Sequence, residues 1–78
     1  MKQKTPHQRL EEFVRTNRGA FGTPRLFALA TGMDDETAEI VLLDLAEGEN
    51  PLVVEAAPGV WAYNPGYTPG RPTTLSVA

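Results

Sequence analysis

Phe27-Ala28-Leu29-Ala30-Thr31-Gly32-Met33-Asp34 is the stretch on which the fold turns. An apolar helical run stops at Gly32, the residue type that most readily takes the left-handed conformation closing a helix. Two positions later Asp34 is placed to cap a new helix. Only Met33 separates the stop from the start, so two helices must meet at a tight turn. Ala28 is small enough to let them approach closely, and Met33 is positioned to fill the space between them.

Upstream, Thr23-Pro24 is a cap followed by the proline that suits a first helical position. The helix it opens runs through Arg25, Leu26, Phe27, Ala28, Leu29 and Ala30. About two turns long and nearly all apolar after Arg25, it cannot be stable by propensity alone, so burial on most sides is expected. Downstream, Asp35 and Glu36 place negative charge in the first turn of the next helix, where it suits the dipole. Ala38, Val41, Leu42, Leu45 and Ala46 then recur at i, i+3, i+4, i+7 and i+8, a strong helical pattern. Gly48 and Pro51 end it.

Farther out, Thr5-Pro6-His7-Gln8 reads as a capping box with proline at the first helical position. Leu10, Phe13 and Val14 form the narrow apolar face of an amphipathic helix of about three turns. Asn17-Arg18-Gly19 stops it, with Gly19 expected as the left-handed cap. Ala20-Phe21-Gly22 is a connector able to pair as a minimal strand, with Phe21 expected as a core anchor. Leu52-Val53-Val54-Glu55 and Val60-Trp61-Ala62-Tyr63 are β-rich runs around a Pro58-Gly59 turn, which predicts an antiparallel hairpin. Trp61 and Tyr63 share one face of its second strand, Val60 and Ala62 the other, and one pair must face the helices. Beyond Tyr63 a Pro or Gly stands at almost every other position, so the chain divides into a domain over 1–64 and a flexible, disordered tail over 65–78.

The order helix, short strand, helix, tight turn, helix, hairpin resembles a winged helix-turn-helix domain over residues 5–64. Ala28-Leu29-Ala30-Thr31-Gly32-Met33 is similar to that superfamily's pattern of Ala, three residues, Gly and an apolar residue. One departure is Ala38, where the family usually places Ile or Val. The resemblance implies an α+β fold of three helices plus a C-terminal β-hairpin wing. It also implies a role in transcription regulation or DNA processing, with the third helix in the major groove and the wing on the DNA backbone or minor groove.

Composition narrows the function classes. Seventy-eight residues suffice for one small domain, and 41% hydrophobic with 22% charged residues is a globular balance. With no Cys there is neither a disulfide framework nor a thiolate site. His7 is the one histidine, and scattered carboxylates around it do not make a zinc site. The glycines stand at turns and caps and form no phosphate-cradling run, and Ser76 lies in the expected tail. The chain therefore reads as a binding protein, with no catalytic residues, metal or cofactor. No stretch has the length of a signal peptide or membrane span, so the expectation is a cytoplasmic protein without membrane contact.

The net charge of −3 conceals a division. Residues 1–25 carry six Lys and Arg against Glu11 and Glu12, a balance of +4. Residues 26–63 carry eight acids and no Lys or Arg, a balance of −8, and seven of those acids lie between Asp34 and Glu49. Phosphate neutralisation dominates DNA affinity, so this third helix is wrong in sign for the groove. With Ala38, Val41, Leu42 and Leu45 turned inward, Ile40 and Leu43 project outward among Glu36, Glu39, Asp44 and Glu47. Two aliphatics in a carboxylate ring suit a protein contact with an apolar centre and polar rim, to which an outward Trp61 would add an aromatic anchor. The leading expectation is thus an adaptor or regulator acting through protein contacts. The alternative is direct DNA binding through Lys2, Lys4, Arg9, Arg15, Arg18 and Arg25, with a homodimer supplying two basic faces. The same cations could instead dock on an acidic partner, such as another copy's third helix.

Overall fold

The computed structural model describes residues 4–68, so Lys2 and the tail expectation for positions past 68 lie outside the described residues. Its elements are α1 (Pro6–Thr16), β1 (Phe21–Gly22), α2 (Pro24–Thr31), α3 (Asp35–Leu45), β2 (Val53–Ala57) and β3 (Val60–Tyr63). The three strands form one antiparallel sheet in the order β1-β3-β2. This is a small α+β fold, and its architecture is consistent with a winged helix.

Each helix begins much as its sequence dictates. Thr5 Oγ1 accepts from the Gln8 N–H at 3.1 Å while Gln8 Oε1 accepts from the Thr5 N–H at 2.9 Å, closing the capping box at the start of α1. Asp34 Oδ1 accepts from the Thr37 N–H at 3.0 Å at the start of α3. Between α2 and α3, Gly32 takes φ 72°, and the Met33 N–H reaches back to the Ala28 carbonyl at 3.1 Å, the long bond of a Schellman turn. Ala28 and Ala38 on either side of this turn are both buried.

Two caps differ from expectation. Thr23 makes no side-chain bond, so Pro24 with its preset φ is what marks the start of α2. At the end of α1, Asn17 caps in place of Gly19. Its backbone N–H and its Nδ2 both donate to the Phe13 carbonyl at 2.9 Å. The helix is thus capped at Asn17, two residues before Gly19, and Gly19 does not adopt a left-handed conformation.

The core gathers Leu10 and Val14 of α1, Phe27 and Ala28 of α2, the inward stripe of α3, Leu52, Val53 and Trp61. Phe13 meets Phe27 edge-on with ring centroids 6.1 Å apart. The expectation that α2 is covered on most sides is corrected: Leu26, Leu29 and Ala30 are exposed, Leu29 by 75%. A helix of eight residues that buries Phe27 and Ala28 inward leaves its far side largely open, with only Leu26 leaning on Gly22 of β1.

Sheet register decides the fate of the aromatics. Phe21 pairs with Ala62 and Gly22 with Trp61. Directly opposed residues share a face, so the strand that turns Trp61 inward turns Phe21 outward with Ala62. Phe21 is accordingly 68% exposed and is not the expected core anchor. On β2 the register slips by one between Glu55, opposite Trp61, and Ala57, opposite Val60. This bulge bends an edge strand away from further pairing. Glu55 Oε2 accepts from the Gly59 N–H at 2.8 Å and ties the turn, where Gly59 takes φ 75°.

The packed body continues past residue 64. The Asn64 N–H donates to the Leu52 carbonyl at 2.9 Å, and its Nδ2 to the Pro51 carbonyl at 2.8 Å. Tyr67 is only 7% exposed. Thr68 pairs reciprocally with buried Asn50: Asn50 Nδ2 donates to the Thr68 carbonyl at 2.9 Å, and the Thr68 N–H donates to Asn50 Oδ1 at 2.8 Å. A primary amide presents the same donor and acceptor as a peptide group, so Asn50 pairs with the returning chain as a strand would.

Candidate functional site

The outward face of α3 assembles as its periodicity predicts. Ile40 and Leu43 are 61% and 50% exposed. Residues four apart on a helix lie one above the other. Ile40 therefore stands between Glu36 and Asp44, and Leu43 between Glu39 and Glu47, the last just past the helix end. All four carboxylates are exposed. At the opposite end of the same helix the Asp34 carboxyl is held below its ordinary value of 3.8. The hydrogen bond to the Thr37 side chain is the leading cause and the Thr37 backbone N–H the next.

Asp44 also reaches α1. His7 Nε2 lies 2.7 Å from Asp44 Oδ2, and His7 Nδ1 lies 3.9 Å from Glu11 Oε1. The two carboxylates address different ring nitrogens and so bracket the imidazole without converging on a point between them. Nothing in such a bracket requires a metal: among the described residues no three His, Asp or Glu side chains come together as a ligand set.

Trp61 does not join the face. It is 6% exposed and belongs to the core, because the register that pairs it with Gly22 and Glu55 points it at the helices. The role of wing anchor expected for Trp61 is therefore corrected to a packing role.

The basic residues are not assembled into one free field. Lys4 pairs with Glu12. Arg15 pairs with Glu11 at 2.9 Å, donates to the Tyr67 hydroxyl at 2.9 Å and lies over the Tyr67 ring at 5.8 Å. Arg18 covers the Tyr63 ring at 5.2 Å. Tyr63 and Tyr67 meet edge-on at 6.2 Å, so Arg15, Tyr67, Tyr63 and Arg18 form a continuous row of contacts that ties α1 and the residues just after it to β3 and the chain beyond it. Among the described residues, Arg9 and Arg25 make no ion pair or side-chain hydrogen bond.

Sequence reasoning did not single out the exposed pair Leu26 and Leu29 as surface. The one available sign was their spacing of three, opposite Phe27 and Ala28 on the helical wheel. It likewise undervalued Tyr67, whose aromatic ring among Pro and Gly was the only mark of a packed segment. Among the described residues no helix is long and apolar enough to cross a membrane. Comparison with protein-family models, with curated proteins and with solved structures finds no match.

Proposed function

We propose that this chain is a small winged-helix adaptor or regulator that works by binding another protein through the outward face of α3. Its setting in transcription or DNA processing is carried by the likeness of element order to that fold class. The observation that carries the contact reading is the pairing of two exposed aliphatics, Ile40 and Leu43, with a carboxylate one turn above and below each. An apolar centre with a charged rim is the anatomy of a protein interface. The partner that fits is an apolar helix or groove edged by Lys and Arg. Duplex DNA does not fit this face, since a helix with no cation gains nothing from counterion release. The alternative DNA reading through α1 is weakened by Lys4, Arg15 and Arg18 already being engaged within the fold.

The test is an amide-resolved NMR titration of labelled protein at physiological salt, run separately with a basic amphipathic helical peptide and with a mixed-sequence DNA duplex. The peptide is expected to shift amides across residues 36–47, and Ile40→Asp with Leu43→Asp to abolish those shifts while the spectrum stays dispersed. Shifts from the duplex around Arg9 and Arg25, with no response to the peptide, would replace this reading by direct DNA binding.

A further inference from the structure

A second apolar surface stands on α2, and its sign is opposite to that of α3. Leu29 and Leu26 are 75% and 46% exposed on the side of α2 away from Phe27 and Ala28. Leu26 leans on β1, since a Cβ at Gly22 would lie 3.0 Å from its Cδ2. Leu29 has no such neighbour strand and projects freely. Arg25 lies one turn before Leu29 on the same side and makes no ion pair among the described residues. From Leu26 to Met33 the chain carries no charge, so Arg25 alone sets the sign of this strip.

We propose that the α3 face is met by the α2 strip of a second copy of this chain, Leu26 and Leu29 packing on Ile40 and Leu43 with Arg25 among the rim carboxylates. This inference rests on the reading of α3 as a protein-contact face. Charge selects the pairing. Two α3 faces brought together would set Glu36, Glu39, Asp44 and Glu47 against their own kind, and two α2 strips would set Arg25 against Arg25. The cross pairing is the arrangement that joins apolar to apolar and cation to carboxylate. It also accounts for both unpartnered helix faces of the molecule with one contact.

The test is sedimentation velocity on the full chain at low and physiological salt, from about 10 μM to about 1 mM, the span in which so small an interface closes. The wild-type sedimentation coefficient should rise with concentration and fall with salt. Two variants then separate the faces: Ile40→Asp with Leu43→Asp lacks the α3 face, and Arg25→Glu with Leu29→Asp lacks the α2 strip. Each alone should remain monomeric at every concentration. An equimolar mixture should regain association, because each variant brings the face that the other lacks. Circular dichroism checks that both are folded, and Ile40→Ser and Leu29→Ser replace either variant that is not. A wild type that stays monomeric throughout, or associating wild type with an inert mixture, would overturn the second-copy partner. The basic-peptide titration separates the two failures: a monomeric chain whose α3 amides still respond to the peptide keeps the adaptor reading and assigns the face to a different protein.

Discussion

Asp34 concentrates what a single side chain does in this protein. Its carboxylate accepts from Thr37 at the first turn of α3, where the unsatisfied N–H groups and the helix dipole favour negative charge. Because the folded state holds its pKa below the ordinary 3.8, its stabilising effect is complete above the unfolded value and is lost as pH falls through the lower, folded one. Asparagine caps about as well as aspartate but does not titrate. Asp34→Asn should therefore melt below wild type at neutral pH, with the gap closing as pH falls through the lowered pKa of the folded state. Thermal melts by circular dichroism at a series of pH values read this directly. A gap independent of pH would mean that hydrogen-bond geometry, and not charge, carries the effect. This cap, like the Thr5–Gln8 box and Gly32, could be read from sequence because capping uses partners within three or four residues along the chain. Phe21 could not. Its side depends on pairing with Ala62, forty-one positions away, and one step of register exchanges the two faces.

The segment after β3 behaves as an element although it has no regular secondary structure. Tyr67 is buried, hydrogen-bonded by Arg15 and edge-on to Tyr63, and Thr68 completes the pairing with Asn50. Removing its ring should act like a core truncation. Tyr67→Ala is expected to cost about 3 kcal/mol, against a net stability of roughly 3–5 kcal/mol for a scaffold of this size. Tyr67→Phe keeps the ring and loses only the Arg15 bond, about 1 kcal/mol. Urea unfolding midpoints compare the two variants. Equal effects from both would place the stabilisation in the hydroxyl, and no effect from either would return the domain boundary to residue 64. Pro and Gly density concealed this segment because it reports local backbone preference. Tyr67 is instead held by Arg15 of α1 and by Tyr63 of β3, contacts that backbone preference does not encode.

Across the molecule, Lys4, Arg15 and Arg18 of the first helix and its flanks are engaged within that segment or on aromatic rings, while the acids of α3 stay exposed. Glu11 and Glu12 engage Arg15 and Lys4, and two arginines lie on tyrosine rings. Any residual DNA binding would draw on Arg9, Arg25 and Lys2. Three phosphate contacts correspond to a slope of about −3 in log K against log salt. Fluorescence anisotropy with a labelled duplex at several low-salt concentrations should find weak binding with a slope no steeper than this. A slope of about −5 or beyond would mean that Lys4, Arg15 and Arg18 release their partners to grip phosphate, and the basic-face reading would regain the lead.

Local chemistry was enough to establish the three helices, the caps at Thr5 and Asp34, the tight turn at Gly32, the hairpin and the outward projection of Ile40 and Leu43. Each depends on residues within a turn or two of one another, where spacing and side-chain type act directly. Which way Phe21 and Trp61 face, whether α2 is covered, how far the folded body extends and which cations are free were settled by the packed chain. Those outcomes turn on pairs such as Phe21–Ala62, Arg15–Tyr67 and Asn50–Thr68, whose partners are brought together only when the sheet has closed against the helices.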